Sequence, residues 1–217
     1  MSLFDVFKEK IAPVKEKRQK TINSNICTLD YLISCFEKME FHSFRIYYEE
    51  AKKIVDGLKI EPELVKKFSE KVKQDGKIKN EALGLYLSAL IQSGFNSGFN
   101  KFIFDEIIAS GFGSFLKGKL NKPVILEVNY LKGNWNFWGS ENCIIKIGKL
   151  EGNWNLRDAK NLIIELEEYN GCCFFGYCLK DCIIRSSSKK LLERLEKQAQ
   201  KGKGIIFKLT TIKQTKY

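Results

Sequence analysis

Leu131-Lys-Gly-Asn-Trp-Asn recurs as Leu150-Glu-Gly-Asn-Trp-Asn 19 residues later (150 − 131). Tyr169-Asn-Gly follows after another 19 (169 − 150). Each opening leads into an apolar run: Cys143-Ile-Ile, Leu162-Ile-Ile, then Cys182-Ile-Ile, the last displaced by 20. A unit this short cannot bury its own apolar side, so the copies must stack. The expected class is α+β: an N-terminal helical bundle, then a short single-chain parallel β-solenoid (β-helix) with a C-terminal helix. The division falls at residues 1–94, a basic leader and bundle, and 95–217. The second part holds turns of about 19 residues, with a helix over 189–200 inserted before a last strand at 205–209.

Stacking fixes which residues share a face. Strand side chains alternate between two faces. Val124, Leu126 and Val128 lie in register with Cys143, Ile145, Ile147 and with Leu162, Ile164, Leu166, and this parity reads as interior. Cys182, Ile184 and Ser186 continue it. The other parity holds two outward columns. One reads Glu127, Lys146, Glu165, Arg185, alternating in sign, as neighbouring strands favour. Placing Lys208 beside Arg185 breaks that alternation at the last strand. The second column reads Ile125, Ile144, Ile163, Ile183, an aliphatic stripe that requires a cover. The helix over 189–200, with Leu191, Leu192 and Leu195, is the nearest candidate. The leader with Phe4, Phe7 and Ile11 is the second, and another subunit is the third.

The Gly-Asn-Trp-Asn segments read as short strands on an opposite wall. Trp135, Phe137, Trp154, Leu156, Cys173 and Phe175 are expected inside. Asn134, Asn136, Trp138, Asn153, Asn155 and Arg157 are expected outside. Amides, an indole and a guanidinium on one face form a candidate ligand surface for a sugar or a base. Stacked Asn ladders are also a purely structural device. Gly133, Gly152 and Gly171 mark one corner, and Asn142, Asn161 and Asp181 the next.

Upstream, Leu29, Leu32, Ile33, Phe36 and Met39 keep helical spacing, as do Phe44, Tyr47, Tyr48, Ala51, Ile54 and Val55, with a break at His42-Ser43. Pro62 opens a further helix to Gln74, and Asn80 caps another over 81–93. Residues 102–109 fit either a strand or a short helix.

Composition narrows the chemistry. The 217 residues carry a net charge of +11, which suits an anionic partner or a surface of ion pairs. A single histidine, His42, argues against a catalytic triad. Seven cysteines without a recognisable secretory leader point to reduced thiols in a cytoplasmic protein. Cys172, Cys173, Cys178 and Cys182 are the weak metal candidates, but their spacing matches no standard zinc or iron–sulfur pattern. Cys173 and Cys182 replace apolar residues of the repeat. No cofactor and no membrane span are expected. The leading expectation is a non-enzymatic assembly or scaffold protein, with a protein partner that includes a second copy of the chain. The alternatives are a nucleic-acid-binding protein with a basic surface, and an enzyme or enzyme subunit with its site on the Asn/Trp face.

Overall fold

The computed structural model describes residues 27–74, 80–153, 155–172, 174, 179–199 and 207–211, the last group as backbone. The leader, Trp154, Cys173, Phe175 and Cys178 lie outside the described residues. The fold is mixed α+β. Four helices come first: α1 (Leu29–Glu37), α2 (Phe44–Val55), α3 (Pro62–Gln74) and α4 (Asn80–Asn96). They are followed by β1 (Lys101–Ile108), β2 (Val124–Lys132), β3 (Glu141–Glu151), β4 (Lys160–Asn170), β5 (Cys182–Ser186), α5 (Lys189–Ala199) and β6 (Phe207–Thr211). The strands form one open, wholly parallel sheet in chain order.

The helix boundaries have local causes. Thr28 takes an extended backbone and its hydroxyl accepts from Tyr31 N–H, capping α1. Ser43 starts α2 after the break at His42. Helix α4 is unlike the others: residues 82–95 are buried on every side. It runs through the middle of the molecule, and its small residues explain how. A Cβ at Gly84 would collide with the backbone of Ser110, and one at Gly94 with Ile60 O. Ser93 Oγ donates to Val55 O (2.8 Å), and Ser88 Oγ to Gly84 O (2.7 Å). One apolar cluster therefore runs unbroken from Leu32 and Phe36 through α4 to the inner face of the strands. On the other side of α4, α3 covers the edge strand β1, where Lys66 pairs with Asp105 (2.8 Å) and Lys73 with Glu106.

The strand register follows the 19-residue spacing. Ile125 pairs with Ile144 and Ile144 with Ile163; Ile163 pairs with Ile183 across the 20-residue step. Val124, Leu126, Val128, Cys143, Ile145, Ile147, Leu162, Ile164, Leu166, Cys182, Ile184 and Ser186 are all buried. Residues 101–108 resolve as a strand. Phe102 and Phe104 pair with Leu126 and Val128 and point into the core, so apolar alternation outweighs the helical reading of Asp105-Glu-Ile-Ile. One expectation needs correction at β6. The strand is described over Phe207–Thr211, and positions 205 and 206 of the expected 205–209 lie outside the described residues. Lys208 pairs with Ile183, not Arg185, whose partner is Thr210, so no lysine interrupts the charge column.

Candidate functional site

The Gly-Asn-Trp-Asn segments are not pleated strands. Trp135, Phe137 and Gly139 have φ near +60°, as do Leu156 and Asp158 one copy later and Gly113 and Phe115 one copy earlier. A positive φ at every second residue breaks the in–out alternation of a strand. Asn136 and Phe137 are both buried, and so are Asn155 and Leu156, while Trp135 is only half-buried. The expected outward placement of Asn136 and Asn155 is therefore reversed, and Trp135 is not enclosed as expected.

The reason is hydrogen bonding. With alternating φ, the N–H groups of the positive-φ residues reach carbonyls of neighbouring copies. Trp135 donates to Asn153 O (3.1 Å), Phe137 to Phe112 O (2.9 Å) and Leu156 to Asn136 O (2.9 Å). The intervening N–H groups have no such carbonyl, and side chains substitute for it. Phe112 N–H donates to Asn136 Oδ1 (3.0 Å), and Asn136 N–H to Asn155 Oδ1 (3.3 Å). Asn136 Nδ2 also donates to Asn155 Oδ1 (3.0 Å) and to Gly133 O (2.8 Å). On the outer edge Asn153 N–H donates to Asn134 Oδ1 and Cys172 N–H to Asn153 Oδ1, both 2.7 Å. Buried amides carry a heavy penalty when unpaired, and the Asn-x-Asn spacing supplies the missing acceptors.

The third copy departs from this pattern. Phe174 occupies the position of Asn136 and Asn155, and among the described residues Asn155 Nδ2 has no hydrogen-bond partner. Helix α5 completes the end. Phe174 N–H donates to Gln198 Oε1 (3.0 Å), Gln198 Nε2 donates to Cys172 O (2.9 Å), and Arg194 donates to Tyr169 O (3.0 Å) and Gly171 O. The Arg194 guanidinium also lies over the Tyr169 ring, 5.0 Å from its centroid. The expectation that α5 covers the isoleucine column is thus corrected. Leu191, Leu192 and Leu195 are buried, and α5 packs on β5 and β6.

Trp138 joins the corner to the helices. Its ring contacts Phe44 (5.9 Å between centroids) and Phe115 (5.5 Å), and Arg157 lies over it at 4.9 Å. Its Nε1 donates to Asp158 Oδ2 (3.1 Å), which also faces Arg157 Nε at 3.4 Å. The six residues expected to form a ligand face are therefore divided. Asn136 and Asn155 lie inside, Asn134 and Asn153 carry main-chain amides, and Trp138 and Arg157 stack on each other.

The outward columns are where they were expected. Lys146 Nζ lies 3.7 Å from both Glu127 and Glu165, and Arg185 lies 3.3 Å from Glu165. Beside them Ile125, Ile144, Ile163 and Ile183 are half-buried, neither enclosed nor fully open. Among the described residues the helices meet the sheet chiefly at β1, β5 and β6, leaving the middle of this column to the surface. The register extends the column to Lys101 at one end and Lys208 at the other.

Two of the described thiols are buried and held protonated. Burial pushes Cys143 up to about 12 and Cys182 up to about 11, while Cys172 is exposed. Among the described residues no three His, Cys, Asp or Glu side chains cluster as metal ligands, and no helix is long and apolar enough to cross a membrane. The positive charge is unevenly placed. Residues 1–26 hold six basic and three acidic residues, and 197–217 hold six basic and none acidic. The sheet's lysines are largely engaged with carboxylates, as in Lys117–Glu141 (3.4 Å), Lys149–Glu151 (2.8 Å) and Lys160–Glu141 (3.4 Å). No protein-family description, curated protein or solved structure matches the chain.

Proposed function

We propose that this chain is a non-enzymatic assembly protein: a short β-solenoid, closed at its first rung by the helical bundle, that offers its isoleucine column to a protein partner. The solenoid reading is supported by strands paired in chain order and by corners that hydrogen-bond copy to copy. The observation that carries the functional reading is the column Ile125, Ile144, Ile163, Ile183, whose members face outward and are only partly buried. Each isoleucine is already mostly buried, so completing its burial is worth roughly a third or less of the 1.5–3 kcal/mol of full burial, and four of them acting together give a partner its gain. The Asn/Trp corner favours an enzyme less, because its polar groups already serve the fold. Capture on the tagged chain in cells tests the reading. The parent retains a stoichiometric protein, and a variant carrying Ile144→Lys and Ile163→Lys retains none. Equal retention by both, or none by the parent, contradicts it.

A second reading rests on one observation, the six lysines of residues 197–217 with no acidic residue among them. Such a segment favours a nucleic acid, bound with a steep salt dependence. Retention on immobilised RNA that is lost in moderate salt and on truncation after residue 199 supports that alternative.

A further inference from the structure

The geometry points to a second copy of this chain as the partner of the isoleucine column, packed face to face about a twofold axis along the strands. This inference rests on the assembly reading and adds the identity of the partner. The outward face is self-complementary in charge. Down the column beside the isoleucines the charges run Glu127, Lys146, Glu165, Arg185. A series of four alternating charges, read from its other end, becomes its own complement. A twofold axis passing between β3 and β4 reverses the stacking order and keeps each column opposite itself. It sets Ile144 against Ile163 of the second copy, and Ile125 against Ile183. The same rotation sets Lys146 against Glu165, and Glu127 against Arg185.

The like-charged register positions, 101 and 208, meet at the far ends of the stack, where solvent screens charge. An unrelated partner requires no such symmetry in this chain. A closed isologous contact also explains why an exposed apolar stripe does not lead to open-ended assembly. Six strands at about 4.8 Å spacing and roughly 20 Å of strand length give a face of about 500 Å². That is below the roughly 800 Å² per partner of a standard interface, so the dimer is expected to be weak and to dissociate on dilution.

Charge exchange between copies tests this on the purified full chain. The parent is expected to sediment at twice its 25.1 kDa mass at tens of micromolar and at single mass on dilution. Lys146→Glu and Glu165→Lys each bring like charges together across the axis, so each alone is expected at single mass with its circular dichroism retained. An equimolar mixture restores opposite charges at both meetings, and the double mass returns. No rearrangement within one chain produces rescue by mixing. Ile163→Lys reads the same face with the ladder charges intact, should either charge variant fail to fold, and is expected at single mass. A parent that stays at single mass at every concentration overturns the inference. So do single variants that keep the double mass, and a mixture that stays at single mass. A single-mass chain that still captures another protein through the column overturns the second copy and leaves the assembly reading standing.

Discussion

Asn136 shows how far one side chain can decide the corner. It is fully buried, and its carboxamide links three successive copies by accepting from Phe112 and donating to Asn155. Asn136→Ala removes an acceptor that nothing else replaces and is expected to cost about 1–3 kcal/mol, the range for orphaning a buried partner. Asn134→Ala exposes its orphaned amide to water and is expected to cost about 0.5–1.5 kcal/mol. Denaturant unfolding of the two variants checks the order, and equal losses contradict it. The thiols and phenols set the alkaline limit. Burial raises Cys143, Cys182, Tyr47, Tyr48 and Tyr86 above their ordinary values of 9 and 10. A folded-state pKa raised in this way contributes stability that is whole below the unfolded value. That contribution is lost as pH climbs through the unfolded value towards the folded one. Stability is therefore expected to hold up to about pH 9 and to fall between about pH 9 and 12. A stability profile flat from pH 8 to 11 contradicts this account of the core.

At the scale of elements, the two short ends of the structure are closed differently. The first strand is covered by α3, and the last copy's corner is completed by two side chains of α5, Arg194 and Gln198. Gln198→Ala leaves Phe174 N–H and Cys172 O without their partner. It is expected to speed hydrogen exchange at Phe174 and to lower stability by about 0.5–1.5 kcal/mol, as for a partly exposed pair. Unchanged exchange at that amide contradicts the capping role. Much of the strand architecture was legible in the sequence because register there depends on two repeating quantities, the 19-residue spacing and the alternation of apolar residues. The alternating charge column was legible for the same reason. The corner was not. Gly-Asn-Trp-Asn reads as a pleat, and nothing in the letters announces a positive φ at Trp135, Phe137 and Leu156, residues that rarely adopt it. The available signal was the Asn-x-Asn spacing, a pattern of acceptors that a ladder-bonded strand does not need. The role of α5 is not legible because its leucines suit any apolar surface, and only the fold brings Arg194 and Gln198 to the main chain of the last corner.

At the scale of the whole molecule, α4 joins what the sequence divides. It is buried from Ala82 to Phe95, touching the bundle on one side and the inner face of the sheet on the other. The helices and the first strands share one core, so Gly84→Leu, which drives a side chain into the backbone of Ser110, is expected to disrupt both together in a single transition. Separate transitions for helix and sheet signals contradict a shared core. The outer face of the same sheet carries the functional account, and comparing two neighbouring isoleucines tests it most directly. Ile145 is buried and Ile144, one residue away, faces outward and is only partly buried. Thermal unfolding and partner retention of Ile144→Lys and Ile145→Lys form the decisive measurement. The account predicts that Ile144→Lys keeps the parent's unfolding midpoint within a few degrees and loses its protein partner, while Ile145→Lys fails to fold. An Ile144→Lys chain that folds normally and retains its partner as the parent does would contradict the central claim.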